Sequence, residues 1–141
     1  SPERVTRLLL CSGKIYYDIM EALGKTDAEG GARIAVARVE ELYPWPHDEI
    51  GKLVDRYPEI EEIVWAQEEP RNMGAWTYAL PRLHASAGNV VKVTYVGRPE
   101  RASTAEGYKA AHDVEEKRIV DAVVEIPQPG TLRKRSSAVR T

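Results

Sequence analysis

Four short apolar runs alternate along the chain with four segments of helical periodicity. The runs span residues 8–11, 34–37, 63–66 and 90–96, and the last is interrupted by Lys92 and Thr94. The first three contain almost no polar alternation, which is typical of strands that are buried on both faces of a sheet. We therefore predict four strands.

Apolar side chains recur at positions i, i+3, i+4 and i+7 between these runs, which predicts four helices with one apolar face each. The sets are Tyr16, Ile19, Met20 and Leu23; Ile50, Leu53, Val54 and Tyr57; Trp76, Ala79, Leu80 and Leu83; and Ile119, Ala122, Val123 and Ile126. Pro81 lies inside the third set and lacks a backbone donor, so we expect a kink or an early end of that helix.

The alternation of strands and helices predicts an α/β fold. Right-handed crossovers between parallel strands place helices on both faces of a mainly parallel sheet, in a three-layer α/β/α sandwich. The apolar pattern stops after Ile126, where the sequence PQPG leads into a segment rich in Arg and Ser. We predict one domain over residues 1–126 and a basic, flexible tail over residues 127–141.

Composition narrows the class of protein. The 141 residues are 43% hydrophobic and 30% charged, with a net charge of -2. A globular domain with this balance has no global charge that would direct it to nucleic acid or to an anionic membrane. No apolar run approaches the ~20 residues that span a bilayer. The single cysteine, Cys11, excludes an internal disulfide and fits a reducing compartment.

The first candidate site is the sequence CSGK at residues 11–14, which joins the first run to the first helix. The amides of a helix N-terminus and the charge of Lys14 favour a phosphate or a carboxylate. We favour the alternative, an N-cap at Ser12 and a tight turn at Gly13, because the full phosphate-loop pattern is missing. Cys11 ends an apolar run, so we interpret it as a small buried hydrophobe rather than a nucleophile.

The second candidate site is the sequence QEEPRNMGAW at residues 67–76, which follows the third run. Ligands of open parallel sheets bind outside the carboxyl ends of the strands. Glu68 and Glu69 could there bind a cation, pair with arginines of a partner or shift each other's protonation. Alternatively, Asn72 caps the third helix and the acids lie near its positive end. Arg98 follows the fourth run and could bind an anion, although we favour an ion pair with Glu68 or Glu69.

The chain contains no recognisable catalytic motif. His47, His84 and His112 are far apart and lack the spacing of metal ligands. We expect His47 and His84 at the surface, and His112 in a solvent-facing or capping role. No GxSxG, GxGxxG or Cys/His cluster is present, so a nucleophile, a base and an oxyanion stabiliser do not occur together.

Four ordered blocks of the sequence resemble the C-terminal domain of 2-oxoglutarate dehydrogenase E1. They are CSGKIYYD at residues 11–18, RVEELYPWP at 38–46, YP at 57–58 with WAQEEPRNMGAW at 65–76, and GRP at 97–99 with Ala102, Ala105, Gly107 and His112. The resemblance runs in order from about residue 7 to residue 124. Glu41 and Trp45 depart from it, because Gln and Phe are expected there.

The resemblance implies a transketolase-like C-terminal fold with a mixed, mostly parallel sheet of about five strands, one more than the apolar runs indicate. It also implies a parent enzyme of the tricarboxylic acid cycle that decarboxylates 2-oxoglutarate with thiamine diphosphate and Mg2+. The parent passes the succinyl group to the lipoyl arm of an E2 subunit. Its cofactor would lie between the two preceding domains, across a dimer, so we expect none on this segment and no catalysis by it alone. The implied compartment is the bacterial cytoplasm or the mitochondrial matrix.

On this resemblance the segment is a scaffold and dimerisation domain beside the active-site entrance, and regulation by a nucleotide or an acyl-CoA effector stays open. We expect Trp76 to pack on a preceding domain or on the second subunit of a homodimer. The candidates for an anion site, an effector site or an interface are Ser12, Gly13, Lys14, Gln67, Glu68, Glu69, Arg71, Asn72, Trp76 and Arg98.

Two other interpretations remain open at the level of sequence. One is a stand-alone α/β module that binds a phosphorylated or anionic ligand through residues 12–14. The other is the same domain in a different 2-oxoacid dehydrogenase or in a transketolase relative.

Overall fold

The computed structural model describes residues 1–26, 31–88, 91–98 and 109–125. Within these ranges, the side chains of residues 98, 109–113, 115 and 116 are not described. The predicted tail at residues 127–141 and the helix position Ile126 lie outside the described residues, and the side chains of Arg98 and His112 do as well.

The sheet of the described chain has four strands, and all of them are parallel. They are β1 (Arg7–Cys11), β2 (Ile34–Arg38), β3 (Glu62–Pro70) and β4 (Lys92–Arg98). Their order across the sheet is β2-β1-β3-β4. The four predicted strands are confirmed, but the described part of the chain adds neither a fifth strand nor an antiparallel one.

Two helices cover each face of the sheet, as the three-layer prediction requires. The helices are α1 (Ile15–Lys25), α2 (His47–Arg56), α3 (Trp76–Ala87) and α4 (Lys109–Val124). Alternate residues of each strand pack in opposite directions, so Leu8 and Leu10 lie under α2 and α3 while Leu9 lies under α1 and α4. Because both faces of β1 are covered, its side chains have to be apolar on both sides. Among the described residues, no helix has the length and apolar character needed to span a membrane.

Two details of the helix predictions were wrong. Helix α3 does not end early at Pro81, because it continues to Ala87 and is followed by Gly88 at φ +72°. The other alternative, a kink at Pro81, stays a prediction. In α1 the apolar face is rotated from the predicted set. Ile15 is 1% exposed, whereas Met20 is 43% exposed. Helix α1 therefore presents a large apolar side chain to solvent.

A buried ion pair lies at the end of the sheet where the strands begin, which we call the amino edge. Arg7 Nη2 lies 2.6 Å from Glu62 Oε1, and both residues are 7% exposed. Arg7 Nη1 also donates to the carbonyl oxygens of Val123, at 2.9 Å, and of Glu125. The last carbonyls of a helix have no partner within the helix, so this cation satisfies two of them. The pair thereby connects the end of α4 to the first residues of two neighbouring strands, β1 and β3.

Candidate functional site

The parallel register brings the polar segments that follow the strands to one end of the sheet, which we call the carboxyl edge. Cys11 pairs with Ala66, and Ala66 pairs with Val96. Ser12, Gln67 and the backbone of Arg98 therefore lie together at this end. It is the end at which open parallel sheets bind ligands.

A cleft of about 480 Å³ opens at the carboxyl edge on the α2–α3 face of the sheet. Its apolar walls come from Leu42, Trp65 and Tyr78. Tyr43 also lines the cleft and is 86% exposed. The full lining is Ser12, Gly13, Leu42, Tyr43, Trp65, Gln67, Glu69, Gly74, Ala75 and Tyr78. Mostly apolar walls with a few polar groups are typical of binding clefts.

The side chain of Gln67 organises the loop that forms one wall of this cleft. Its Oε1 accepts hydrogen bonds from Trp65 Nε1 and from the backbone amide of Trp76, each at 3.0 Å. Its Nε2 lies within hydrogen-bond distance of the carbonyl oxygens of Glu69 (3.2 Å), Pro70 (3.0 Å) and Met73 (2.8 Å). Gln67 is only 4% exposed, so its amide oxygen and its amide N–H groups bond to groups of β3 and of the segment that follows it. Gln67 therefore fixes the shape of the edge, and its predicted role in a ligand site or an interface stays a prediction.

Helix α3 begins differently from the prediction that Asn72 caps it. The N-cap residue is Ala75, and the first helical amide is held by Gln67 from the end of β3. Gly74 allows this entry because it has φ +66°, and a Cβ there would lie 3.1 Å from the Cβ of Glu69. Trp76, the first residue of α3, is 5% exposed and belongs to the core on the α2–α3 face of the sheet. Its packing on a preceding domain or on a second subunit stays a prediction.

The turn at residues 12–14 is a glycine turn without a side-chain cap. Gly13 has φ +82°, and the N-cap residue of α1 is Lys14, with no side-chain capping bond. The predicted tight turn is confirmed, and the predicted N-cap at Ser12 is wrong. The first amides of α1 bond within the turn, Tyr16 N to Gly13 O at 3.4 Å and Tyr17 N to Lys14 O at 3.1 Å. Binding of an anion there stays a prediction.

Cys11 is a buried structural residue, as its position in the sequence indicated. Its exposure is 0%. Burial raises its pKa from 9.0 to about 11, although the nearby charge of Arg38 lowers it in part. A thiol with so high a pKa is protonated at neutral pH and is a poor nucleophile.

The two glutamates after β3 contact different neighbours. Glu69 lines the cleft, whereas Glu68 Oε2 lies 4.0 Å from Lys14 Nζ on the α1 side. Glu68 Oε1 is buried and has no hydrogen-bond partner among the described residues. The ion pair predicted between Arg98 and these acids involves a side chain outside the described residues. The alternative for Arg98, binding of an anion, also stays a prediction. For Glu68 and Glu69, the different neighbours give no support to a shared cation.

Arg71 and Tyr95 extend the carboxyl edge towards β4. The guanidinium of Arg71 lies 5.4 Å from the centre of the Tyr95 ring, and Tyr95 Oη donates to the carbonyl of Glu69 at 3.1 Å. Burial raises the pKa of Tyr95. Gly97 makes room for this hydroxyl, because a Cβ there would lie 2.3 Å from it. The segment from Gln67 to Trp76, which is the end of β3 and the loop after it, is thus held by a hydroxyl from β4 as well as by Gln67.

Arg38, the last residue of β2, forms a cluster that was not predicted from the sequence. Its guanidinium lies over the rings of Tyr16 and Tyr17, and its Nη1 donates to Tyr17 Oη at 3.1 Å. The sequence contains one sign of this cluster, an arginine at the end of an apolar strand. Its contact with α1 could be predicted only once β1 and β2 were known to be adjacent, because α1 follows β1.

The two histidines whose side chains are described, His47 and His84, do not line the cleft. His47 and His84 are exposed, as predicted. His47 Nδ1 lies 3.0 Å from Ser86 Oγ, which also accepts from Trp45 Nε1 at 3.1 Å. Within residues 1–26, 31–88, 91–98 and 109–125, no three His, Cys, Asp or Glu side chains are grouped so that they could hold a metal ion.

Comparison with known proteins gives one consistent family. The model of the family described as "2-oxoglutarate dehydrogenase C-terminal" matches residues 1–124. The chain is 50% identical over 118 residues to the 2-oxoglutarate dehydrogenase E1 component of Exiguobacterium sp., covering 84% of the chain and 12% of that relative. It is 46% identical to the Bacillus subtilis E1 component, with the same coverage. It is 38% identical over 120 residues to that of Haemophilus influenzae, covering 85% of the chain and 12% of the relative.

A solved structure supports the fold. A split-gene transketolase, described as an inactive beta4 tetramer, superposes with a TM-score of 0.58 at 19% sequence identity. The likeness covers 84% of this chain and 37% of the transketolase chain. At this identity the likeness concerns the fold alone. The chain spans only about one eighth of the length of the E1 relatives.

Proposed function

The chain belongs to the 2-oxoglutarate dehydrogenase C-terminal family, and we propose that it is the C-terminal scaffold domain of an E1 component that decarboxylates 2-oxoglutarate. The observation that carries the proposal is the match over residues 1–124, with 38% to 50% identity to E1 components. These relatives are named for 2-oxoglutarate, which favours this substrate over pyruvate and over the sugar phosphates of a transketolase. The parent enzyme would belong to the tricarboxylic acid cycle.

The geometry of the carboxyl edge supports a scaffold role. The polar groups of Gln67 bond to neighbouring groups of the same chain, and Cys11 is a protonated, buried thiol. Such a site holds a loop in a fixed shape, and it offers no activated nucleophile among these groups. A rigid loop at the mouth of a cleft is suited to form part of the wall of a larger active site.

We assign the cofactor to the rest of the parent enzyme. Thiamine diphosphate would supply the carbanion chemistry of decarboxylation, and Mg2+ would hold its diphosphate. Among the described residues, no three His, Cys, Asp or Glu side chains are grouped as a metal site, and the family resemblance puts the cofactor between the two preceding domains. The preceding domains would therefore bind both.

The partners follow from the same assignment. They are the preceding domains of the E1 chain, a second E1 subunit in a homodimer, and the lipoyl-bearing E2 that accepts the succinyl group. Neither a nucleic acid nor a membrane is among them, and a nucleotide or acyl-CoA effector is a further candidate ligand. The enzyme would act in the bacterial cytoplasm or in the mitochondrial matrix, where the single thiol stays reduced.

The proposal is tested with the full-length E1 polypeptide, loaded with thiamine diphosphate and Mg2+. We expect turnover of 2-oxoglutarate to exceed turnover of pyruvate by at least about a hundredfold, since discrimination that rests on a buried charge or hydrogen bond is large. A parallel preparation that ends before this segment should lose activity and dimer stability together. Equal turnover of the two acids, or full activity without the segment, would contradict the proposal.

A further inference from the structure

An exposed aromatic and basic cluster lies between α1 and the end of β2, and the proposed function gives it no role. The guanidinium of Arg38 lies 5.8 Å from the ring centre of Tyr16 and 5.4 Å from that of Tyr17. Tyr17 is 61% exposed, and Met20, one turn further along α1, is 43% exposed. We call Tyr16, Tyr17, Met20 and Arg38 the Tyr–Arg patch.

Contacts inside the Tyr–Arg patch fix its shape. Arg38 Nη1 donates to Tyr17 Oη at 3.1 Å, and the two tyrosine rings meet edge to face at 5.5 Å. Side chains that are already ordered lose little entropy when a partner binds. Tyr and Arg are also the residue types that contribute most to binding energy at protein interfaces. The patch therefore has both the composition and the order of an interface centre.

The surrounding charges favour a protein over an anionic partner. Glu40 Oε1 lies 3.9 Å from Arg38 Nη1, and Glu21 pairs with Lys25 at 3.2 Å on the same helix. The positive charge of Arg38 is thus balanced locally. A phosphate backbone or an anionic lipid surface is held by several unbalanced cations, and the patch does not supply them.

We propose that the Tyr–Arg patch is the surface on which this domain docks against another domain of the same E1 polypeptide. This rests on the proposed function. The matched segment is 12% of the length of the E1 relatives, so most of the polypeptide lies outside it. A tethered domain is present at an effective concentration of the order of millimolar, far above that of a free partner. The rest of the same chain is therefore the occupant that the patch meets first.

The test uses limited proteolysis of the full-length E1 polypeptide, with release of a C-terminal fragment that contains this segment as the readout. For Tyr17→Lys combined with Met20→Lys, we expect release to be roughly tenfold faster or more, as for the loss of one interface hot spot. Tyr17→Phe keeps the ring and should leave the rate within about twofold, since a single exposed hydroxyl contributes little. The oligomeric state, followed by sedimentation, should not change.

Val114→Lys is the matched control, because Val114 is another large apolar residue, 69% exposed, on α4. Its release rate should equal that of the unmodified enzyme. The proposal is overturned if the double variant is released at the unmodified rate, or if Val114→Lys is released as fast as the double variant. Dissociation into monomers without faster release would also overturn it, because the patch would then lie between copies. If the double variant does not fold, Met20→Lys alone is judged by the same criteria.

This readout is independent of substrate. An enzyme that acts on pyruvate would contradict the proposed function and leave the docking result unaffected. Conversely, unchanged release in an enzyme specific for 2-oxoglutarate would remove only the docking surface.

Discussion

The two ends of the sheet are held together by different chemistry. At the amino edge a buried ion pair, Arg7 with Glu62, also binds the last carbonyls of α4. At the carboxyl edge a neutral amide, that of Gln67, bonds to two donors and faces three carbonyls of one loop. A charge removed from water requires its counter-charge, whereas a neutral amide only needs hydrogen-bond partners.

The difference separates the stability of the domain from the shape of its surface. The amino edge joins residues 55 positions apart, and it also anchors a helix at the far end of the chain. The carboxyl edge fixes the end of β3 and the loop between Pro70 and Trp76, and such loops on a rigid scaffold carry function in many folds. We therefore expect changes at the amino edge to unfold the domain and changes at the carboxyl edge to reshape it.

The largest effect is expected for Arg7→Met. It leaves the buried carboxylate of Glu62 without its cation, so the free energy of unfolding should fall by about 3–5 kcal/mol. Urea denaturation measures this fall. Because two apolar side chains leave no unpaired charge, Arg7→Met combined with Glu62→Leu should recover at least half of the loss. A single variant that loses less than about 1 kcal/mol would mean that the pair is solvated and that the edges do not differ as described.

A smaller effect is expected for Gln67→Ala. The indole N–H of Trp65 and the amide of Trp76 lose their acceptor, so the free energy of unfolding should fall by about 3 kcal/mol or less, with altered fluorescence of both tryptophans. Thr77→Ala, an exposed change in the next turn, should stay within about 0.5 kcal/mol. If Gln67→Ala leaves the fluorescence unchanged, the amide does not set the shape of the loop.

The smallest effect concerns Cys11. The rate at which its thiol is alkylated shows whether the carboxyl edge is structural or reactive. With a pKa of about 11 in place of 9.0, the thiolate fraction at pH 8 falls about a hundredfold, and alkylation should be slower than in urea by at least this factor. The folded state holds the proton more tightly, so stability should be constant below pH 9 and should fall as the pH rises towards 11. Cys11→Ala should reduce this fall, and the part that remains is expected from Tyr95, whose pKa is also raised by burial. Rapid native alkylation at pH 8 would indicate a reactive edge.

The strands were predictable because an unbroken apolar run of four or five residues fits a strand with both faces covered. The extension of β3 through Gln67, Glu68 and Glu69 was not predicted, since three polar residues in succession are typical of a loop. They stay in the strand because β4 pairs as far as Pro70, past a register shift, and because Gln67 finds its partners in the loop that follows.

Helical periodicity identified which residues share a face and left open what that face meets. Met20 belongs to the predicted apolar set of α1 but is exposed, because the turn at Gly13 rotates Ile15 towards the sheet. Trp76 has the character of an interface residue, yet within this domain it is buried in the core on the α2–α3 face of the sheet. Rotations of this kind depend on turn geometry, which periodicity does not contain.

By itself the sequence determined how strands and helices alternate along the chain, the parallel sheet and the family resemblance. These depend on local periodicity and on ordered motifs. Only the tertiary structure decided that Arg7 is paired with Glu62, that Gln67 is a buried amide, and that Arg38 meets Tyr17. These contacts join residues whose neighbours are set by strand order and register. The sequence alone does not show whether the partner of a polar side chain is water or another buried group.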